Sequence, residues 1–139
     1  MRWERTVTVI GCHVGGEDNH VIVGGVLPPP GTTMFEKKRY LETHGDELRR
    51  WLLFEPRGKP TLCMNLVTPP TRPDCDAGMI IMEATDYPPM SGSNTICTVT
   101  VLLDTYADDP EATRHHETAW RMLATLAEQV LDLPREGLR

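Results

Sequence analysis

The hydrophobic positions of the chain form short β-branched runs that alternate with polar residues or stand between glycine and proline turns. Four runs predict strands, because alternation and β-branched side chains fit a pleated surface with one face buried. They are Thr6 to Ile10 (TVTVI), His20 to Val23 (HVIV), Thr61 to Val67 (TLCMNLV) and Met79 to Glu83 (MIIME). The segment from Gly11 to Glu17 is expected to be a glycine-punctuated loop.

Two helices are predicted between the second and third strands. Thr33 has Glu36 three residues further on, the spacing of a capping box, so a helix should run from about Met34 to Thr43 and close at Gly45. The run from Glu47 to Phe54 (ELRRWLLF) predicts another helix that ends before a proline.

The stretch PPMSGSNTIC, residues 88 to 97, leads into an apolar run whose type the periodicity leaves open. As a helix, the run would place four residues on one face, namely Ile96, Val99, Thr100 and Leu103. Threonine and valine dominate the other positions, so a strand is the alternative. A helix that is apolar nearly all round has to be buried at the centre of a domain.

After Thr105 the chain changes character. A polar break (YADDP) precedes a predicted amphipathic helix from Glu111 to Leu133, whose apolar stripe is Trp120, Leu123, Leu126, Val130 and Leu133. We therefore divide the chain into residues 1–105, mostly strands joined by turns, and a helical tail, residues 106–139.

Composition narrows the function classes. The 139 residues suffice for one domain, and the net charge of −6 comes without a basic cluster, which argues against nucleic acid and anionic membranes as partners. No apolar run has the length of a membrane span, and charges interrupt the apolar N-terminal segment MRWERTVTVIG, so a secretory signal is not expected. These features predict a cytoplasmic protein.

The four cysteines indicate neither a disulfide framework nor a metal site. None is spaced as CxxC, and most are expected to be buried as small hydrophobic residues. A zinc site would have to combine Cys12 and His13 with the pair His115 and His116, and this spacing matches no zinc signature. We predict no metal.

Ser91 is the first candidate for chemistry. As an N-cap, its side-chain oxygen would accept a hydrogen bond from an N–H group two or three residues on. As part of an anion site, it would stand beside the free N–H groups of Gly92, Ser93 and Asn94 at a helix start, where a carboxylate or phosphate can bind. The two interpretations are compatible.

A second constellation combines Cys12 and His13 with the following glycines. A Cys/His pair suggests a thiolate nucleophile, but neighbours on an extended segment point to opposite faces, so a pocket-lining loop is favoured over a dyad. Asp86 and Tyr87 are expected either to line the same pocket or to cap a strand end.

These segments resemble the proline racemase family, which includes proline racemases, 4-hydroxyproline 2-epimerases and trans-3-hydroxy-L-proline dehydratases. The matching elements cover about residues 6 to 105 in the family's N-terminal order. They are GCHVGGE, HVIVGGVLPPPGTTMFEK, LLFEPRGK, NLVTPP, GMIIMEATDYPPMSGSNTIC and TVLLDT.

The resemblance implies an α/β fold like that of diaminopimelate epimerase, with mostly antiparallel strands wrapped around a central helix. It implies two such domains and cofactor-free chemistry on a small amino acid in the cleft between them. In racemases of the family, a cysteine at the start of each central helix exchanges the α-proton. Ser91 matches the N-terminal cysteine, and the backbone at Gly92 and Ser93 matches the carboxylate-binding segment.

The serine shifts the expected reaction. A thiol can act as a base, whereas a serine hydroxyl is too weakly acidic without help. A base on the opposite face would still remove the α-proton, and a 3-hydroxyl would then leave, so the resemblance favours trans-3-hydroxy-L-proline dehydration. Epimerisation of 4-hydroxyproline and racemisation of proline are the alternatives.

Only one of the two family domains is recognisable, and residues 106–139 are interpreted as a frameshift or truncation product. The resemblance then implies little activity for this chain alone, since one half of a cleft neither excludes water nor supplies the partner base. The alternative from another class is a non-catalytic binding or interaction fragment, forming a homodimer through its exposed domain face or its tail.

Overall fold

A computed structural model of the protein describes residues 5 to 105. The chain divides after Val101 into two compact units, and the described part of the second, residues 102 to 105, is the last turn of a helix. The predicted tail and the pair His115 and His116 lie outside the described residues.

The described residues form five strands and three helices. They follow in the order β1 (Thr8–Ile10), β2 (His13–Val14), β3 (Glu17–Gly24), α1 (Met34–His44), α2 (Glu47–Leu53), β4 (Cys63–Thr68), β5 (Gly78–Met82) and α3 (Gly92–Thr105). The four predicted strands and both predicted helices are confirmed, with ends shifted by at most three residues. The apolar run after Ser91 is a helix, which decides between the two alternatives.

The segment predicted as a loop contains a short strand. His13 and Val14 pair with Asp18 and Glu17, and the two residues between the strands, Gly15 and Gly16, have positive φ angles of 58° and 90°. Two consecutive positive φ angles are what a tight two-residue hairpin turn requires, and glycine adopts them without strain. The glycine pair therefore closes a hairpin rather than an irregular loop.

The strands form one mixed sheet in the order β1-β3-β4-β5, with β2 also paired to β3. Of the four strand pairings in the described part, only β3 with β4 is parallel. A parallel pair needs a long crossover, and α1 and α2 supply it. The predicted architecture, α/β with mostly antiparallel strands, is confirmed.

The register divides the sheet residues between two faces, since successive side chains of a strand point to opposite sides. One side, called the apolar face, carries Ile22, Met64, Leu66, Ile80 and Met82, and these belong to the hydrophobic core together with leucines of α1 and α2. The other side, called the polar face, carries Asn19, Val21, Cys63, Asn65 and Ile81.

Helix α1 begins with the predicted capping box. Thr33 accepts a hydrogen bond from the Glu36 N–H group at 3.1 Å, and the Glu36 carboxylate accepts from the Thr33 N–H group at 3.2 Å. Hydrogen bonds from the side chain and the backbone of Thr32, and then the one from the Thr33 N–H group, lower the pKa of Glu36. The helix ends at Gly45, as predicted.

Arg49 joins α2 to the turn after β5. Its guanidinium donates to both carboxylate oxygens of Asp46, at 2.7 Å and 3.0 Å, and to the carbonyl oxygens of Glu83 and Ala84. Tyr87, which is buried in the hydrophobic core, donates its hydroxyl to the same Asp46. Of the two roles expected for Tyr87, lining the pocket does not agree with the structure, because its ring belongs to the hydrophobic core.

Within residues 5 to 105, none of the helices combines the length and apolar character that crossing a lipid bilayer requires.

Candidate functional site

The start of α3 is built by Ser91, which stands immediately before the helix. The Ser91 carbonyl accepts from the N–H and the hydroxyl of Thr95, at 3.0 Å and 2.8 Å. Its hydroxyl oxygen lies 3.5 Å from the Asn94 N–H group, which makes Ser91 the N-cap that the sequence predicted. The serine is half-buried, so its hydroxyl is partly open to solvent.

Two backbone N–H groups at this helix start have no acceptor among the described residues. They belong to Gly92 and Ser93, the first two residues of α3. The first N–H groups of any helix lack an intrahelical partner, and the helix dipole adds a partial positive charge there. A planar carboxylate is the ligand that such a pair of donors suits best.

Gly92 leaves the approach to these donors open. A β-carbon at this position would meet no atom of the protein within 4 Å, and its φ angle is not in the left-handed region. Neither crowding by the described residues nor the backbone conformation therefore calls for glycine at position 92. Because Gly92 has no side chain, a ligand can approach the backbone N–H groups closely.

The Asn94 side chain is buried at 1% exposure and reaches back to Ser91. Its amide nitrogen donates to the Ser91 hydroxyl oxygen at 3.0 Å, and the Ser93 hydroxyl lies 3.2 Å from the same oxygen. All four residues predicted for the site, Ser91, Gly92, Ser93 and Asn94, are thus within one helical turn, but the Asn94 side chain faces inward.

The polar face of the sheet continues the site beneath α3. Cys63, at the start of β4, lies near the Asn94 side chain. Burial raises the pKa of the Cys63 thiol, the Glu83 carboxylate raises it further, and the Asn94 amide acts in the opposite direction. Burial also raises the pKa of Glu83, with Asp86 and Glu17 adding to the effect. The surroundings on this side therefore disfavour the charged forms of Cys63 and Glu83.

Cys12 and Cys97 form a second contact on this side. Burial and the Cys12 thiol raise the pKa of Cys97 to about 12, and the Asn19 side chain acts in the opposite direction. His13 is exposed on β2 and pairs with Asp18 across the hairpin, so Cys12 and His13 have different neighbours, as predicted. The expectation that most cysteines are buried is wrong, since Cys97 alone is buried and the other three are half-buried.

The buried side of α3 differs from the predicted one. Ile96 and Thr100, expected on the inner face, are exposed, and Ile96 is 42% accessible. The buried side chains are Asn94, Thr95, Cys97, Thr98 and Val101. The prediction was wrong because it ranked positions by hydropathy, whereas Asn94 and Cys97 of α3 interact with Cys63 and Asn19 on the polar face of the sheet.

Asp86 contributes to the turn after β5 through its backbone, as its carbonyl accepts from the Glu83 N–H group at 2.9 Å. Of the two predicted roles, the structure therefore gives this residue the one at the strand end. Cys63 and Glu83 were not predicted as neighbours of the site. Only the register of β4 and β5 places them there, so no local signal in the sequence identifies them.

Among residues 5 to 105, no group of three or more histidine, cysteine or acidic side chains is arranged to hold a metal ion.

Comparison with known proteins gives a consistent result. Residues 9–119 match the proline racemase family, and the matched range extends past Thr105. A crystal structure of a hydroxyproline epimerase from Agrobacterium vitis with bound trans-4-hydroxy-L-proline is similar, with 39% identity and a TM-score of 0.72. The similarity covers 76% of this chain and 31% of the epimerase.

A second similar structure is that of a probable proline racemase from Agrobacterium radiobacter K84 with bound carbonate. It has 42% identity and a TM-score of 0.69, over 72% of this chain and 30% of the racemase. The chain thus spans about a third of the length of both relatives. These matches identify the observed α/β architecture as the diaminopimelate epimerase-like fold of such enzymes.

Proposed function

The chain belongs to the proline racemase family, and from this membership we propose that the start of α3 binds the carboxylate of a proline-type amino acid whose α-proton is removed. The observation that carries the proposal is the pair of N–H groups of Gly92 and Ser93, which have no acceptor among residues 5 to 105, with open space where a β-carbon of residue 92 would stand. The similar structures contain hydroxyproline and carbonate, and both ligands carry a planar oxyanion group.

The proposed reaction is dehydration of trans-3-hydroxy-L-proline. A base removes the α-proton, and the electron pair of that C–H bond forms a double bond between the α- and β-carbons. The bond from the β-carbon to the 3-hydroxyl breaks, and this group leaves as water with a proton donated by Ser91. Ser91 regains a proton from solvent, and the product is a pyrroline-2-carboxylate. The hydroxyl suits this step because it donates a proton more readily than it removes one from carbon.

Epimerisation of 4-hydroxyproline is the second candidate. The observation in its favour is the trans-4-hydroxy-L-proline in the similar epimerase structure. In both reactions the base belongs, by resemblance, to a second domain, and a chain that lacks this base binds the amino acid without turnover. The division into a family domain, residues 1–105, and a separate tail stays part of this proposal.

Binding is tested with pyrrole-2-carboxylate, a planar mimic of the deprotonated substrate. We expect titration of the ¹⁵N-labelled chain to shift the amide signals of Gly92 and Ser93 more than those of the β strands. Gly92→Ala should lower the affinity about tenfold or more, because a methyl group would occupy the approach to the donors. Its free energy of unfolding should change by less than about 1 kcal/mol, since the β-carbon meets no atom.

Thr100→Ala is the matched control for this experiment. It also places alanine on α3, but at an exposed position about two turns from the proposed site, so it should not change the affinity. Equal affinity of the unaltered chain and Gly92→Ala, or no shift at Gly92 and Ser93, would show that the carboxylate does not bind there.

The reaction is tested by incubating the chain with trans-3-hydroxy-L-proline, trans-4-hydroxy-L-proline and L-proline in D₂O. Proton NMR then distinguishes loss of water from exchange of the α-proton. We expect pyrroline-2-carboxylate from the first substrate once a chain that supplies the base is present, and its loss in Ser91→Ala. Exchange of trans-4-hydroxy-L-proline without any dehydration would favour epimerisation.

A further inference from the structure

The Asn94 side chain has an arrangement that a helix cap alone does not explain. It is buried, its amide nitrogen donates to the Ser91 hydroxyl oxygen at 3.0 Å, and its backbone N–H group lies 3.5 Å from the same oxygen. A helix N-cap needs only the hydrogen bond from a backbone N–H group to the side-chain oxygen of the cap residue. The shorter of the two contacts is made by the side chain.

These contacts decide what the Ser91 hydroxyl can do. A serine hydroxyl has one proton to donate and two lone pairs that accept. Both N–H donors of Asn94 occupy the lone pairs, so the remaining function of the group is donation. The Ser93 hydroxyl, 3.2 Å away, is then the acceptor of the Ser91 proton when no ligand is present.

The Asn94 side chain also neighbours the sheet. It lies near the Cys63 thiol on β4, and its amide acts to lower the pKa of that thiol. The Asn94 Oδ1 atom has no partner among the described residues. An unpartnered buried oxygen costs free energy, and an aliphatic side chain here would avoid that cost. An asparagine at this position despite that cost is consistent with a function for its N–H donors, which point at Ser91.

We propose that Asn94 is a positioning residue, which saturates the acceptor sites of Ser91 and thereby turns its hydroxyl into a proton donor toward the substrate. This inference rests on the proposed function, in which Ser91 protonates the leaving group. Donation leaves negative charge on the Ser91 oxygen, and two N–H groups aimed at that oxygen stabilise it.

A thiol at position 91 reports on this contact without substrate or turnover. In the full chain carrying Ser91→Cys, the ultraviolet absorbance of the thiolate is followed against pH. In each case the titration of the matching chain that keeps Ser91, with Asn94 or with Asn94→Leu, is subtracted, because Asn94 also acts on the Cys63 thiol. Adding Asn94→Leu should raise the pKa of the introduced thiol by about one unit, because a thiolate there loses a hydrogen-bond donor. The thiolate fraction near neutral pH would fall about tenfold.

Thr98→Val serves as the control, because Thr98 is buried on the same helix one turn further along and its Oγ1 atom also has no partner among the described residues. It should not change the pKa of the introduced thiol. Circular dichroism verifies folding, and Asn94→Ala replaces Asn94→Leu if the leucine variant does not fold. The inference is overturned if the introduced thiol has the same pKa with and without the Asn94 amide.

The two proposals fail separately. The thiol titration is done without ligand, whereas the proposed function is tested by binding of pyrrole-2-carboxylate to the chain with Ser91 and Asn94 intact. Binding without a pKa change overturns the role of Asn94 alone. A pKa change without binding overturns the proposed function, and with it the direction of donation toward a substrate.

Discussion

The two faces of the sheet differ in chemistry although they are built from neighbouring residues of the same strands. The apolar face joins the leucines of α1 and α2 in a continuous hydrophobic core. The polar face carries Asn19 and Asn65, and α3 adds Asn94, Cys97 and Thr98. Leu66 and Asn65 are adjacent in the chain, are both almost completely buried, and point to opposite sides.

The difference shows which side stabilises the fold and which side is arranged for chemistry. Burial of an aliphatic side chain contributes about 1.5 to 3 kcal/mol. Four buried polar oxygens have no partner within residues 5 to 105, and an unsatisfied buried group costs about 1 to 3 kcal/mol. They are Asn19 Oδ1, Asn65 Oδ1, Asn94 Oδ1 and Thr98 Oγ1. The proposed site adjoins the polar face, which is the side that carries these unsatisfied groups.

The largest effect should come from making the apolar face polar. Leu66→Asn removes an aliphatic side chain from the core and buries an amide there, so we expect the free energy of unfolding to fall by about 4 kcal/mol or more. Urea denaturation followed by circular dichroism measures the change.

The reciprocal substitution provides the comparison. In Asn65→Leu, the hydrogen bond to the His20 carbonyl at 3.3 Å is lost, but an unpartnered oxygen is also removed. We expect a change within about 1 kcal/mol of zero. Similar large losses for both substitutions would contradict the division into two unlike faces.

A smaller effect is expected where Arg49 connects α2 to the end of β5. Arg49→Met removes a paired, largely buried guanidinium, so that Asp46 and two carbonyl groups lose their hydrogen-bond donor. We therefore expect the free energy of unfolding to fall by about 3 kcal/mol near neutral pH. Arg50→Met, on the next residue of α2, is the control and should cost less, because Arg50 is exposed.

The loss in Arg49→Met should depend on pH. Hydrogen bonding by Arg49, with a further hydrogen bond from Tyr87, lowers the pKa of Asp46. A carboxyl group with a lowered pKa contributes stability above its unfolded pKa of about 3.9, and that stability is lost as the pH falls through the folded value. The difference between the unaltered chain and Arg49→Met should therefore shrink below about pH 4. A pH-independent difference would exclude Asp46 as the partner that matters.

The smallest effect should come from the cap of α1, outside both faces. Thr33→Ala removes the side-chain half of the capping box and should lower the free energy of unfolding by about 1 kcal/mol. Thr33→Ser keeps the hydroxyl and should restore most of it. Thermal unfolding of the three chains gives the ranking, and an alanine chain as stable as the serine chain would exclude a contribution from the cap.

Much of the fold could be predicted because its signals are local. The capping box of Thr33 and Glu36 and the closing Gly45 involve residues within one or two turns, so the helix ends follow from the sequence. The resemblance carried by SGSNTIC located the helix start at Ser91. The inner side of α3 could not be predicted, because Asn94 and Cys97 interact with Cys63 and Asn19, which lie far away in the chain.

The sequence by itself determined most of the element types, the family and the helix start at Ser91 with its free N–H groups, since these depend on residues close together in the chain. The tertiary structure decided which side of α3 is buried, and it placed Cys63 against Asn94 and Asn94 against Ser91. The physical reason is the strand register. A strand shifted by one residue would exchange the apolar and polar faces, and only packing of all the elements together fixes that register.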